Sequence, residues 1–150
     1  MSRILCPTDF SDASFEGVRM ASDFAEVFSA QVVLVYVVPP VPVLSDPGVV
    51  RLFDVDLYQD ELVTAMDKKL TRVARDQVAQ KVQVQTRIAC SADTAGTICE
   101  LARTEKVDLI VIATHGMTGW RHYVHGSVAQ KVVQHASQPV LLVRSQDGVK

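Results

Sequence analysis

Apolar positions along this chain fall into two alternating patterns. Short, β-branched runs at Arg3–Cys6, Val32–Val38, Val82–Ile88, Leu109–Ala113 and Val140–Val143 have the length and composition of strands. Between them, apolar residues recur every three or four positions, as on one face of a helix. Gly17, Met20, Ala21, Phe24, Val27 and Phe28 make one such stripe over 12–29. Leu62, Met66, Leu70 and Val73 make a second, with Asp67, Lys68, Arg72 and Asp76 turned to water. Ala95, Ile98, Leu101 and Ala102 make a third, which Asp93 is placed to cap. Ala129, Val132, Val133 and Ala136 make the fourth.

The resulting order, β-α-β-α-β-α-β-α-β, predicts parallel strands joined by right-handed crossovers. The fold class is α/β: a doubly wound five-stranded parallel sheet of order 3-2-1-4-5, with helices on both faces. The last two strands are apolar at every position and are expected to be buried on both faces. One stretch breaks the alternation. Residues 39–53 hold four of the six prolines and predict an irregular loop, because proline lacks an amide donor and restricts its neighbour.

Composition narrows the class without changing this picture. A chain of 150 residues, 48% hydrophobic and 21% charged, fits one globular domain over 1–150. The net charge of −2 argues against a general nucleic-acid or anionic-membrane binder. No apolar run reaches the length of a membrane span, and the apolar run near Met1 is too short for a secretory signal. Three cysteines, Cys6, Cys90 and Cys99, show no CxxC spacing and read as reduced thiols. A cytoplasmic location is the expectation.

In an open parallel sheet, ligands bind beyond the carboxyl ends of the strands where the strand order reverses, here between strands 1 and 4. Two loops therefore matter. After strand 1 comes Pro7-Thr8-Asp9-Phe10-Ser11-Asp12. Asp9 suits a ribose hydroxyl or a base amine, while Asp9, Ser11 or Asp12 equally suits the cap of the next helix. After strand 4 comes a loop from Thr114 to Gly126-Ser127, which opens the fourth helix. Free amides and the positive end of the helix dipole at such a start suit phosphate. Gly126 allows close backbone approach, the Ser127 hydroxyl can donate, and Gly116 permits a sharp exit from the strand.

At these residues the chain resembles the universal stress proteins of the ATP-binding branch. Their strand-4 motif is Gly-x-x-Gly, nine residues, then Gly-Ser or Gly-Thr, and the match here is Ala113-x-x-Gly116, nine residues, Gly126-Ser127. Ile4 to Ser11 resembles the family's first strand and loop, and Val33 to Val37 its second strand. Val107 to Ile112 and Gln138 to Val143 resemble the approaches to strands 4 and 5. Two positions depart: Ala113 replaces the first glycine and is expected to narrow or shift the phosphate path, and Met117 replaces a frequent cation.

The resemblance implies an ATP site, with Mg or Mn accompanying the triphosphate. Pro7, Thr8, Asp9 and Val37 would meet the ribose and adenine. Ala113, His115, Gly116, Gly126, Ser127 and Val128 would surround the phosphates. It also implies a nucleotide-dependent regulatory or protective role in stress response, and a homodimer paired through strand 5. That strand is otherwise an apolar sheet edge, an aggregation hazard unless covered by a partner or by the seven residues that follow Val143.

Other chemistries find little support. His115, His122 and His125 lack the cysteine or carboxylate partners of a metal site, so no metal ligand is assigned. Hydrolase, P-loop and dinucleotide motifs do not occur, no general base is in place to activate water, and no catalytic residue is assigned. Two rivals stay open. One is a dimeric interaction module that binds no nucleotide, and the other is a slow ATPase or self-phosphorylating protein using Ser127.

Overall fold

A computed structural model describes residues 1–42, 55–114 and 128–145. The strands are β1 (Arg3–Pro7), β2 (Gln31–Val38), β3 (Val84–Cys90), β4 (Leu109–Thr114) and β5 (Val140–Arg144). The helices are α1 (Asp12–Phe28), α2 (Val55–Gln77), α3 (Thr94–Thr104) and α4 (Val128–His135). All strand pairs are parallel, as the alternation of elements predicts, and the order is β3-β2-β1-β4-β5, the one expected. Most of the proline-rich stretch over 39–53 lies outside the described residues.

Alternation along the strands sorts the core into two layers. Ile4, Cys6, Leu34 and Val111 pack under Val18 and Ala21 of α1 and Leu70 and Val73 of α2. Leu5, Val33, Ile110 and Ile112 pack under Ala95 and Ile98 of α3 and Ala129 and Val132 of α4. β4 is covered on both sides, with Ile110, Val111 and Ile112 buried. β5 is not. Leu142 remains 49% exposed, and among the described residues β5 is paired with a strand on one side only.

The structure moves several boundaries. β1 extends to Pro7, since a strand can end on a residue that gives no amide to the ladder. β3 begins at Val84, and Val82 is buried in the preceding turn rather than in the strand. On α1, Val27 and Phe28 are exposed, and the buried face is instead Ala13, Ser14, Gly17, Val18, Ala21, Ser22 and Ala25. Small residues on that face let the helix lie close to the sheet. Asp93 does cap α3, accepting from Gly96 N at 3.1 Å.

Candidate nucleotide site at the β1–β4 crevice

β1 and β4 part toward their carboxyl ends. Their paired register runs only from Ile4–Leu109 to Leu5–Ile110. On its other side β1 stays paired with β2 as far as Pro7–Val35, and β4 stays paired with β5 as far as Thr114–Arg144. Two strands held by their outer neighbours but released from each other leave a crevice. It lies at the topological switch point, where open α/β sheets take their ligands.

The loop on the β1 side is tightly built. Thr8 N donates to Val35 O at 2.9 Å, adding one rung beyond the strand. Ser14 Oγ donates to Ser11 O at 2.8 Å, so the 2.8 Å contact between the Thr8 and Ser14 hydroxyls has Thr8 as donor. The Thr8 oxygen then accepts from Phe10 N at 3.0 Å. This network is what allows a threonine to be buried at the strand exit. Phe10 sits at φ 65°, a conformation bulky residues rarely adopt. Its ring is held against Tyr36 with centroids 4.5 Å apart, and Lys69 Nζ lies 4.4 Å above it.

Ser11, rather than Asp9 or Asp12, is the helix cap: its hydroxyl accepts from Ser14 N at 3.1 Å. Asp9 supports it, with Oδ1 accepting from Ser11 N at 3.0 Å and from Ser11 Oγ at 2.5 Å. Desolvation alone would raise the Asp9 carboxyl, but the hydrogen bonds from the Ser11 hydroxyl and amide help outweigh it, and the group is held below its ordinary value. Asp9 is therefore ionised at neutral pH. It is exposed, and a carboxylate has about four acceptor positions, more than Ser11 uses.

The remaining expected site residues separate into two groups. Pro7, Thr8 and Asp9 stand at the end of β1, with Ala113 at the end of the neighbouring β4. Val37 is buried on the α3–α4 side of β2, opposite Ala89, and Val128 opens α4 at 38% exposure. His115, Gly116, Gly126 and Ser127 lie outside the described residues. Sequence reasoning did not single out Ser14, Phe10 or Tyr36. The three-residue step from Ser11 to Ser14 signals a capped helix start, but nothing in it announces a bond back to Thr8.

Cys6, beside the crevice, is fully buried, and burial pushes its thiol up to about 12. It is thus a protonated packing residue rather than a nucleophile. Among the described residues, no group of three histidine, cysteine, aspartate or glutamate side chains is gathered to hold a metal ion. No described helix is long and apolar enough to cross a membrane.

Comparison with known proteins agrees with this architecture. The chain is 35% identical over 144 residues to a universal stress protein of Methanocaldococcus jannaschii, MJ0531, covering 95% of this chain and 81% of that one. The solved structure of hypothetical protein MJ0577, from the same organism, superposes with a TM-score of 0.77 at 23% identity over 98% of both chains. A universal stress protein in complex with cAMP superposes at 0.68, with 21% identity over 95% and 96% of the two chains. One from Archaeoglobus fulgidus in complex with dAMP superposes at 0.56, with 20% identity over 95% and 96%. The family model for universal stress proteins matches residues 1–144, and with the five-stranded 3-2-1-4-5 sheet and its opened β1–β4 crevice, the chain belongs to the universal stress protein family.

Proposed function

We propose that this protein binds ATP in the crevice between β1 and β4 and works as a nucleotide-dependent regulatory or protective factor. The observation that carries the reading is the parting of β1 from β4 beyond Leu5–Ile110, with the ionised Asp9 at its rim. Asp9 suits the ribose hydroxyls, which donate, and the apolar ends of β1 and β2 at Pro7 and Val37 suit adenine. By the family motif, Gly116, Gly126 and Ser127 take the phosphates, with Ala113, His115 and Val128 around them. Similar folds in complex with cAMP and dAMP support an adenine nucleotide as the ligand class. A divalent cation, Mg or Mn, would enter on the triphosphate itself. Efficient turnover is not part of the proposal.

The test is the thermal midpoint with and without Mg-ATP, in the wild type and in Gly126→Asp. Ligand at about 100 times its Kd stabilises by about 2.7 kcal/mol, roughly 5–10 °C for a domain of this size. A wild-type shift that Gly126→Asp abolishes supports the reading. No shift at millimolar Mg-ATP leaves the dimeric interaction module as the better account. Label transfer from γ-labelled ATP onto the wild type, lost in Ser127→Ala, would instead move the protein among the self-phosphorylating enzymes.

A further inference from the structure

Where the family motif opens with glycine this chain has Ala113, and the added methyl must be housed somewhere. β4 alternates its side chains: Ile110 and Ile112 face α3 and α4, and Val111 faces α1 and α2. Ala113 follows Val111 onto the α1 side. There it meets Gly17. A β-carbon built on Gly17 would stand 3.2 Å from Ala113 N and 3.3 Å from Ala113 Cβ. Carbon atoms pack best at about 3.5–4.0 Å, so a methyl on Gly17 would press on the backbone of β4 as well as on the Ala113 methyl. Glycine within a helix is unfavourable relative to alanine, and the contact with Ala113 accounts for its use here.

The same helix carries the other rim of the crevice. Ser14 lies three residues before Gly17, on the same buried face of α1, and binds Thr8 and Ser11. The height at which α1 sits on β4 therefore fixes where Thr8 and Asp9 stand relative to the end of β4. We propose that Gly17 is a positioning residue for the nucleotide site, an inference that rests on the ATP-binding reading above. By ceding room to the Ala113 methyl, it keeps α1 seated and holds the two rims at the spacing a nucleotide spans. The Ala113 methyl is housed on the helix side of β4.

Calorimetric titration with Mg-ATP and the thermal midpoint of the free protein, across wild type, Gly17→Ala, Ala113→Gly and the double variant, test this. Ala113→Gly, which leaves Gly17 and the seat of α1 in place, is expected to change the affinity less than Gly17→Ala does. Gly17→Ala is expected to lose about tenfold, and adding Ala113→Gly to it to restore part of that loss, since the contact with the Ala113 backbone nitrogen stays while the one with its methyl goes. A purely structural role would lower the thermal midpoint and leave the affinity of the folded protein unchanged, which would overturn the proposal. So would tenfold tighter binding by Ala113→Gly, since the methyl would then stand in the phosphate path. If Gly17→Ala fails to fold, the double variant is read in its place, and wild-type affinity in it would overturn the positioning role. Wild type that binds while the pair shows no coupling rejects the positioning role alone, whereas wild type that fails to bind rejects the ATP reading and this inference together.

Discussion

Ser29 ends α1 with φ 53° and ψ 40°, the left-handed conformation that glycine adopts without strain. Its amide reaches back to Ala25 and Glu26, and Ala30 N closes on Ala25 O at 2.8 Å, so the conformation is fixed by the cap. A side chain in this region costs about 1–2 kcal/mol, while glycine in the unfolded chain gives back about 0.4–1 kcal/mol of that. Ser29 is exposed, so its removal leaves no cavity. Ser29→Gly is therefore expected to stabilise the protein by about 0.5–1 kcal/mol, a rise of a few degrees in thermal midpoint. A fall in the midpoint on scanning calorimetry would mean that the serine hydroxyl contributes more than the strain costs.

Between elements, the amino-terminal end of the sheet is tied by one side chain. Arg3 of β1 donates from Nε to Gln31 Oε1 on β2 at 3.1 Å and from Nη2 to Gln85 Oε1 on β3 at 2.8 Å. Its Nη1 meets the Glu105 backbone oxygen at 2.7 Å and the Glu105 carboxylate at 3.0 Å, just past α3. Arg87 of β3 completes the cluster, with Nε 2.6 Å from Glu105 Oε1. The hydrogen bond from Arg87 outweighs desolvation and, with the charges of Arg87 and Arg3, holds the Glu105 carboxyl below its ordinary value. A depressed carboxyl stabilises the fold above its unfolded value near pH 4.3, and that contribution is lost as pH falls through the folded value. Glu105→Gln should thus lower the thermal midpoint at pH 7, with the gap to wild type closing as pH falls below the unfolded value of about 4.3. A gap independent of pH would show that packing, not charge, is what the substitution removes.

This cluster also shows where the sequence stops being legible. The elements and their order follow from local signals: β-branched runs, helical stripes and a cap at Asp93. The crevice follows from that order, because the switch point is a property of topology. Contacts such as Arg3 with Glu105, or Gly17 with Ala113, join residues about a hundred positions apart and depend on how a helix crosses a strand. Val27 and Phe28 misled for a related reason. They keep the helical period, but α1 lies close to the sheet and turns its small residues inward, leaving the two large ones in water.

At the scale of the whole molecule, order 3-2-1-4-5 leaves β3 and β5 as edges, and the two are not equivalent. β3 carries Gln85 and Arg87, polar residues engaged with Arg3 and Glu105. β5 is Val-Leu-Leu-Val-Arg, with Leu142 at 49% exposure, and α4 beside it leaves Val133 at 47%. Unpaired edge strands of this composition template pairing with another chain unless something covers them. A two-fold axis beside β5 is the economical cover, because it joins the same patch to itself and closes after two copies. We accordingly propose a homodimer through β5, in addition to the nucleotide site and independent of it. Sedimentation equilibrium should find a dimer at micromolar concentration. Leu142→Glu sets like charges near the axis and removes an apolar anchor, and it should weaken association by about a hundredfold, some 2.7 kcal/mol. Helical content should be unchanged, since Leu142 supports no described helix layer fully. A wild-type monomer would show that β5 is protected within one chain, and a Leu142→Glu dimer as tight as wild type would place the interface elsewhere.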